Sequence, residues 1–224
     1  MKTTKTAKIL SVVLSLLLIV TMFPITSVTA FATVDANVIT DEASLQTALE
    51  TGGEYVLGNN IATTNSVYHE NDVTTVIDLN GYEISSSSWG ITIFSGDLTI
   101  YGGKLNNVVP IVHSGSLTIK DVTIDASSSS AMTNGGGKLT LENVTINGPH
   151  SNGVYAVGGE TVIIGGTYNC PDHQIISYYD TTPDVKIYGG TFSSSVADYV
   201  ADGYSEVEKD GLYVVESDKK GYNR

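Results

Sequence analysis

Lys120, Asp121 and Asp125 come nearest in this sequence to a catalytic constellation. Elimination on a uronate polymer needs a basic group, commonly arginine, to take the proton next to the carboxyl, beside calcium held by aspartates. Here the only arginine is Arg224, at the chain's end. The lysines Lys104, Lys120, Lys138 and Lys186 fall at repeat positions that face solvent. Lys120 with Asp121 and Asp125 is the best remnant of such a site, and a solvated charged face is the plainer reading. Glycoside hydrolysis instead needs two convergent carboxylates. The chain has no adjacent aspartate pair, and Asp78, Asp121 and Asp125 are spread over distant repeats. His69, His113, His150 and His173 fall in turns, without spacing of the zinc-ligand kind. Cys170 has no histidine–acid frame around it. No residue is assigned a catalytic role.

Binding chemistry is better represented. The chain carries 13 Tyr, one Trp and 4 Phe. Tyr101 and Tyr188 share one outward slot of the repeat, while Trp89, Tyr155, Tyr178 and Tyr179 lie around a second strand. Exposed rings of this kind stack on sugar faces while nearby Asn, Asp and Ser oxygens bond the hydroxyls. A polar column, Ser85, Asn106, Asp125, Asn147, Asn169 and Ser193, follows each repeat and reads as a turn ladder. Within it Asp125 is a weak calcium candidate, with Asp97, Asp121 and Glu142 as further oxygens. No other cofactor or metal is indicated. The outward threonines, Thr118 and Thr140 with Thr123, Thr145, Thr167 and Thr191, are interrupted by Lys104, Val162 and Lys186. That makes them ordinary strand residues rather than an ice-ordering array.

The elements that position these residues come from a repeated phrase. LTIKDVTIDA from Leu117 returns as LTLENVTING from Leu139, and in looser form as LTIYGGKLNN from Leu98 and VKIYGGTFSS from Val185. Aligned on Ile77, Leu98, Leu117, Leu139, Thr161 and Val185, the copies lie 19 to 24 residues apart. Each ends on one more apolar residue: Ile84, Leu105, Ile124, Ile146, Tyr168 and Phe192. Period-two alternation in Ile, Leu, Val and Thr is strand, not helix. Shorter strands (GITIFSG, PIVHSG, GVYAVGG, QIISYYD) sit between the copies. An all-strand repeat near twenty residues without helices is a parallel β-helix, in which each coil must match its neighbours. Crossover sterics favour the right-handed form. The reading gives about six coils over residues 75–193 and an N-terminal cap over 33–74. That cap includes a short helix from Ala43, Leu45, Ala48 and Leu49, stopped by Gly52-Gly53. A C-terminal cap over 194–216 ends in a hairpin turning at Asp210-Gly211, and 217–224 is a loose tail.

Residues 1–32 have the form of a secretory signal peptide: Lys2, Lys5 and Lys8, an apolar run, then SVTAFA. No second apolar run suggests a membrane span. The formal charge is -13, and removing the leader takes away lysines but no acid. An acidic, secreted chain is a poor partner for nucleic acid or anionic membranes. It suits divalent cations or neutral glycans. With Cys170 as the single cysteine, no intramolecular disulfide is available despite that destination.

ASLQTALETGGEYVL followed by VIDLNGYEI and the coils resembles the pectin-lyase-like right-handed β-helix proteins. IYGGTFSSSVADYVADGYSEVEKDGLYVV is similar to the closing segment of secreted or surface, adhesin-like β-helix proteins of gut-dwelling Gram-positive bacteria. The resemblance covers roughly residues 40–216. It implies the fold more firmly than any activity, because the superfamily includes polysaccharide lyases, glycoside hydrolases and binding modules. The expectation is a secreted or loosely surface-associated, non-catalytic module that binds a glycan or a cell-surface polymer. A lyase or hydrolase with an atypical site is the alternative, and a stiff spacer without a ligand is the third reading.

Overall fold

The computed structural model describes residues 37–88, 90–178 and 183–218. The signal-peptide segment, Trp89, Tyr179 and the last six residues of the tail lie outside the described residues.

The described residues form an all-β solenoid of about seven turns, with mostly parallel strands and, among them, a single α-helix. The coil count therefore exceeds the six read from the repeat. Coiling starts early, because β2 (Gly53–Leu57), β3 (Ile61–Thr63) and β4 (Val67–His69) already pair in parallel with β5 (Thr74–Asp78), β6 (Glu83–Ser86) and β7 (Ile91–Ile93). These strands are short and separated by polar loops, so they carry little periodicity. From β8 (Asp97–Asn106) and β10 (Ser116–Asp125) onward the repeat is regular. β11 (Ser130–Asn147) and β12 (Asn152–Asn169) each carry more than half a coil in one strand.

The register places Leu98, Leu117, Leu139, Thr161 and Val185 side by side, as the alignment requires. Ile77 does not belong to that column. It pairs with Ile100, and Thr75 takes the slot beside Leu98. The second inward column is Tyr55, Ile77, Ile100, Ile119, Leu141, Ile163 and Ile187. The third is Ile61, Ile84, Leu105, Ile124, Ile146, Tyr168 and Phe192. Tyr168 and Phe192 close it with rings stacked 4.9 Å apart.

Two polar intrusions into the core are matched across it. Where Thr75 replaces leucine, its hydroxyl meets His69 Nε2 at 3.0 Å, and His69 Nδ1 lies 2.7 Å from the Ser95 carbonyl. Where Thr161 does so, its Oγ1 accepts from Asn134 Nδ2 at 3.0 Å. His69 and Asn134 are wholly buried. His69 is thus a core residue of β4, not a turn residue. A satisfied hydrogen bond removes most of the cost of burying each group.

The phrase bends where a residue takes the left-handed conformation: Asp121 at φ 52 and Asn143 at φ 50, with glycine at 102 and 165 in two further coils. Asn and Asp tolerate this conformation better than other side-chain-bearing residues. Val122 and Val144 follow and fill the corner. This is why the phrase alternates GG, DV and NV at its centre.

The helix α1 (Glu42–Thr51) covers the first coils with Leu45, Ala48 and Leu49. Asp41 caps it, accepting from the Ser44 N–H and hydroxyl at 2.7 Å each. Glu42 reaches back to the coil, accepting from the Thr64 and Asn65 N–H groups at 3.0 Å. These bonds hold both carboxyls below their ordinary values of 3.8 and 4.5. A depressed folded value means the contribution is fully present above the ordinary value and lost as pH falls through the folded one. Protection of amides 42–51 against hydrogen exchange is therefore expected to fall below about pH 4, while that of Leu117–Ile124 holds. Equal loss in both segments would refute this anchoring.

At the other end a 3-10 turn (Ala197–Tyr199) leads to β16 (Tyr204–Lys209) and β17 (Leu212–Ser217), an antiparallel hairpin turning at Asp210-Gly211. β17 adds antiparallel to β15 (Gly190–Phe192), the last strand of the third column. Glu206 ties the hairpin down, accepting from the Ser195 hydroxyl at 2.6 Å and the Val196 N–H at 2.5 Å.

Candidate binding face

One lateral face is built from β4, β7, β9 (Ile111–Val112), the first part of β11 and β12, and β13 (Ile176–Ser177), all parallel. The column next to the inward one runs Tyr68, Thr92, Ile111, Thr133, Tyr155 and Ser177, of which Thr92 and Ser177 are buried. The inward column, beginning with His69 and Ile93, fixes the register. After the inward residue the chain turns out again, and Phe94 and His113 occupy equivalent positions there, their N–H groups bonding the His69 and Ile93 carbonyls.

Because coils repeat about every 4.8 Å, rings in successive slots stack. Phe94 and His113 lie 4.9 Å apart with planes 7° apart, and Tyr68 joins at 6.3 Å and 24°. Tyr68 and Phe94 are 39% and 41% exposed, so this is a solvent-facing aromatic ladder rather than core. Sequence reasoning missed it. The matching FSG and HSG triplets at Phe94 and His113 were the available signal, whereas Tyr68 belongs to a coil whose periodicity is too weak to read.

The rings singled out from the sequence are dispersed. Tyr155 is half-buried in the same column as Tyr68, and Tyr178 is exposed at the end of that face. Tyr101 is half-buried beside Asp78, and burial followed by that carboxylate pushes its phenol up. Tyr188 lies edge-on to Tyr204 at 5.5 Å, as part of the C-terminal cap. Trp89 and Tyr179 lie outside the described residues. Ser86–Ser88, Asn107, Val109 and Ser127–Ser128 border an open groove of about 580 Å³.

The carboxylates and lysines neutralise one another instead of converging. Lys104 spans Asp125 at 2.8 Å and Glu83 at 3.4 Å; Lys120 meets Glu142 and Lys138 meets Glu160, each at 3.3 Å. Asp121 accepts from Asn143 Nδ2 at 2.7 Å. Lys120 and Asp125 thus point into different columns on either side of the bend at Asp121. The Lys104 ammonium, then the Asn147 amide at 2.9 Å, hold the Asp125 carboxyl below the usual range. The other calcium candidates are engaged one by one, with Asp97 accepting from the Ser116 hydroxyl. Among the described residues no three His, Cys, Asp or Glu side chains cluster as a metal site would require. The polar column is only partly a ladder: Asn147 bonds Asp125, but Asn106 bonds Glu83, and Ser193 accepts from the Cys170 N–H. Cys170 is buried, which pushes its thiol up to about 11, away from nucleophilic chemistry at neutral pH.

No helix among the described residues is long and apolar enough to cross a membrane. No family model, curated protein or solved structure matches the chain.

Proposed function

We propose that the protein is a secreted, non-catalytic binding module of the right-handed, pectin-lyase-like β-helix kind, whose ligand is a glycan of an extracellular or cell-surface polymer. The observation that carries this reading is the exposed Tyr68–Phe94–His113 ladder on a face of parallel strands. Rings repeating at the coil spacing offer apolar edges and an end face, and the neighbouring half-buried Thr133 supplies a hydroxyl as polar partner. Among the described residues each lysine is paired with a carboxylate, which supports binding over catalysis. The signal-like leader supports export.

A glycan array probed with the purified protein tests the reading. Phe94→Ala is expected to keep the β-rich circular dichroism, since the ring is exposed, and to lose several-fold in affinity for the glycan identified. A stacking ring contributes on the order of 1 kcal/mol. Undiminished binding by the variant would remove the ladder from the site. Turnover of the bound polymer would favour the lyase or hydrolase reading, and a blank array the spacer.

A further inference from the structure

The ladder stops after His113, and neither backbone geometry nor packing requires it to. The next slot belongs to Gly135. Its neighbours have no choice: a Cβ on Gly136 would lie 2.8 Å from the His113 carbonyl oxygen, and one on Gly137 would lie 2.6 Å from the Gly115 carbonyl oxygen. At Gly135 the atoms nearest to a Cβ would be the Val112 carbonyl oxygen at 3.4 Å, His113 Nδ1 at 3.5 Å and His113 Cα at 3.9 Å. Those are ordinary contacts, and Gly135 does not adopt a positive φ. A side chain there would lie against the imidazole, on the side away from Phe94. Glycine leaves that side bare.

One coil further on, the ladder pairs Asn134 with Ala156 and then Gly135 with Gly158. Val157 is the extra residue of this bulge and is 46% exposed. His113 and Val157 each follow a member of the same inward column, Val112 and Ala156, which stand two coil spacings of about 4.8 Å apart, and Gly135, without a side chain, follows Asn134 between them. Two van der Waals contacts across that distance leave room for one flat ring.

We infer that this vacancy is a subsite for a single pyranose ring of a neutral glycan, stacked on the imidazole of His113 with Val157 behind it. The inference rests on the glycan reading above. The adjoining positions favour a sugar over an aryl group, because the half-buried Thr133 beside the slot supplies a hydroxyl partner for ring hydroxyls. They favour a neutral sugar because Lys138, the nearest cation along the strand, is already paired with Glu160 at 3.3 Å.

Titration calorimetry with cellohexaose and xylohexaose, together with ligand proton spectra, tests the site. The parent protein is expected to bind at least one of the two and to shift ring C–H protons upfield. Gly135→Leu, which fills the slot, and His113→Ala, which removes the platform from an exposed position, are each expected to weaken binding roughly tenfold or more and to abolish the shift. Both should melt like the parent. If Gly135→Leu does not, His113→Ala alone decides. Variants that bind as the parent does would overturn the subsite while leaving the glycan reading intact. A parent that binds neither hexaose nor any arrayed glycan would overturn both. Displacement of the sugar from the slot by p-cresol, with tighter binding of the cresol, would overturn the assignment to a pyranose.

Discussion

Leu117→Asp is expected to yield no folded protein. Leu117 is wholly buried between Leu98 and Leu139 in the most regular column of the solenoid. The substitution removes about 2 kcal/mol or more of apolar burial. It also adds a carboxylate with no partner, which costs several kcal/mol more. Together these approach the whole stability of a typical domain, about 5–15 kcal/mol. The loss cannot be absorbed locally, because a coil contacts only its two neighbours and a break in the middle strands both halves. Leu117→Met, which conserves volume, is expected to cost less than about 1.5 kcal/mol. Far-UV circular dichroism and soluble yield distinguish the two. A Leu117→Asp chain that melts cooperatively near the parent's midpoint would show that the column is not the core.

Gly159→Ala is expected to be the most damaging single methyl in the molecule. Gly159 sits at φ +69, and a Cβ there would stand 1.9 Å from the Gly137 carbonyl oxygen and 2.7 Å from the Gly136 carbonyl carbon. The torsion alone costs about 1–2 kcal/mol. The clash falls on backbone, so β11 and β12 must part locally and give up ladder bonds. A loss of about 4 kcal/mol corresponds to a melting point lower by roughly 8–16 °C in a domain of this size. Gly203→Ala is the matched control, since Gly203 has φ +81 but nothing within 4 Å of its Cβ position. It carries the torsional cost without the clash. Equal destabilisation by the two variants would mean that coil-to-coil contact at Gly159 is unimportant.

The register from Leu98 to Val185 was legible because each inward slot repeats an aliphatic residue, or threonine, at a fixed offset. It failed at Ile77 because the true partner of Leu98 is Thr75, whose buried hydroxyl is satisfied by His69 from across the core. A polar residue in an inward slot looks outward-facing until its partner is known. The helix α1 was legible from its apolar spacing and glycine stop, and the hairpin from Asp210-Gly211. The coil before Thr74 was hidden by three-residue strands too short to show a period. The aromatic ladder was half visible. FSG and HSG could have been superposed, but a ladder exists only once coil spacing is known, and no alternation along one strand reveals a neighbour 4.9 Å away in the next. The ion pairs were likewise unreadable: Lys104 and Asp125 lie a coil apart in sequence yet 2.8 Å apart in space.

The parallel ladders also set how the molecule bears tension. Their hydrogen bonds run along the long axis, so a pull on the C-terminus first meets the hairpin held by β15 and the Glu206 contacts, and then one coil at a time. Each coil that peels away frees about twenty residues, roughly 70 Å of chain at full extension, so the protein would lengthen in steps at modest force. A load applied sideways, were a polymer gripped at Phe94 and His113, would spread over the two successive coils that carry those rings and strain their ladders together. The solenoid is thus compliant along its axis and stiff across it, and the aromatic face lies on the stiff side.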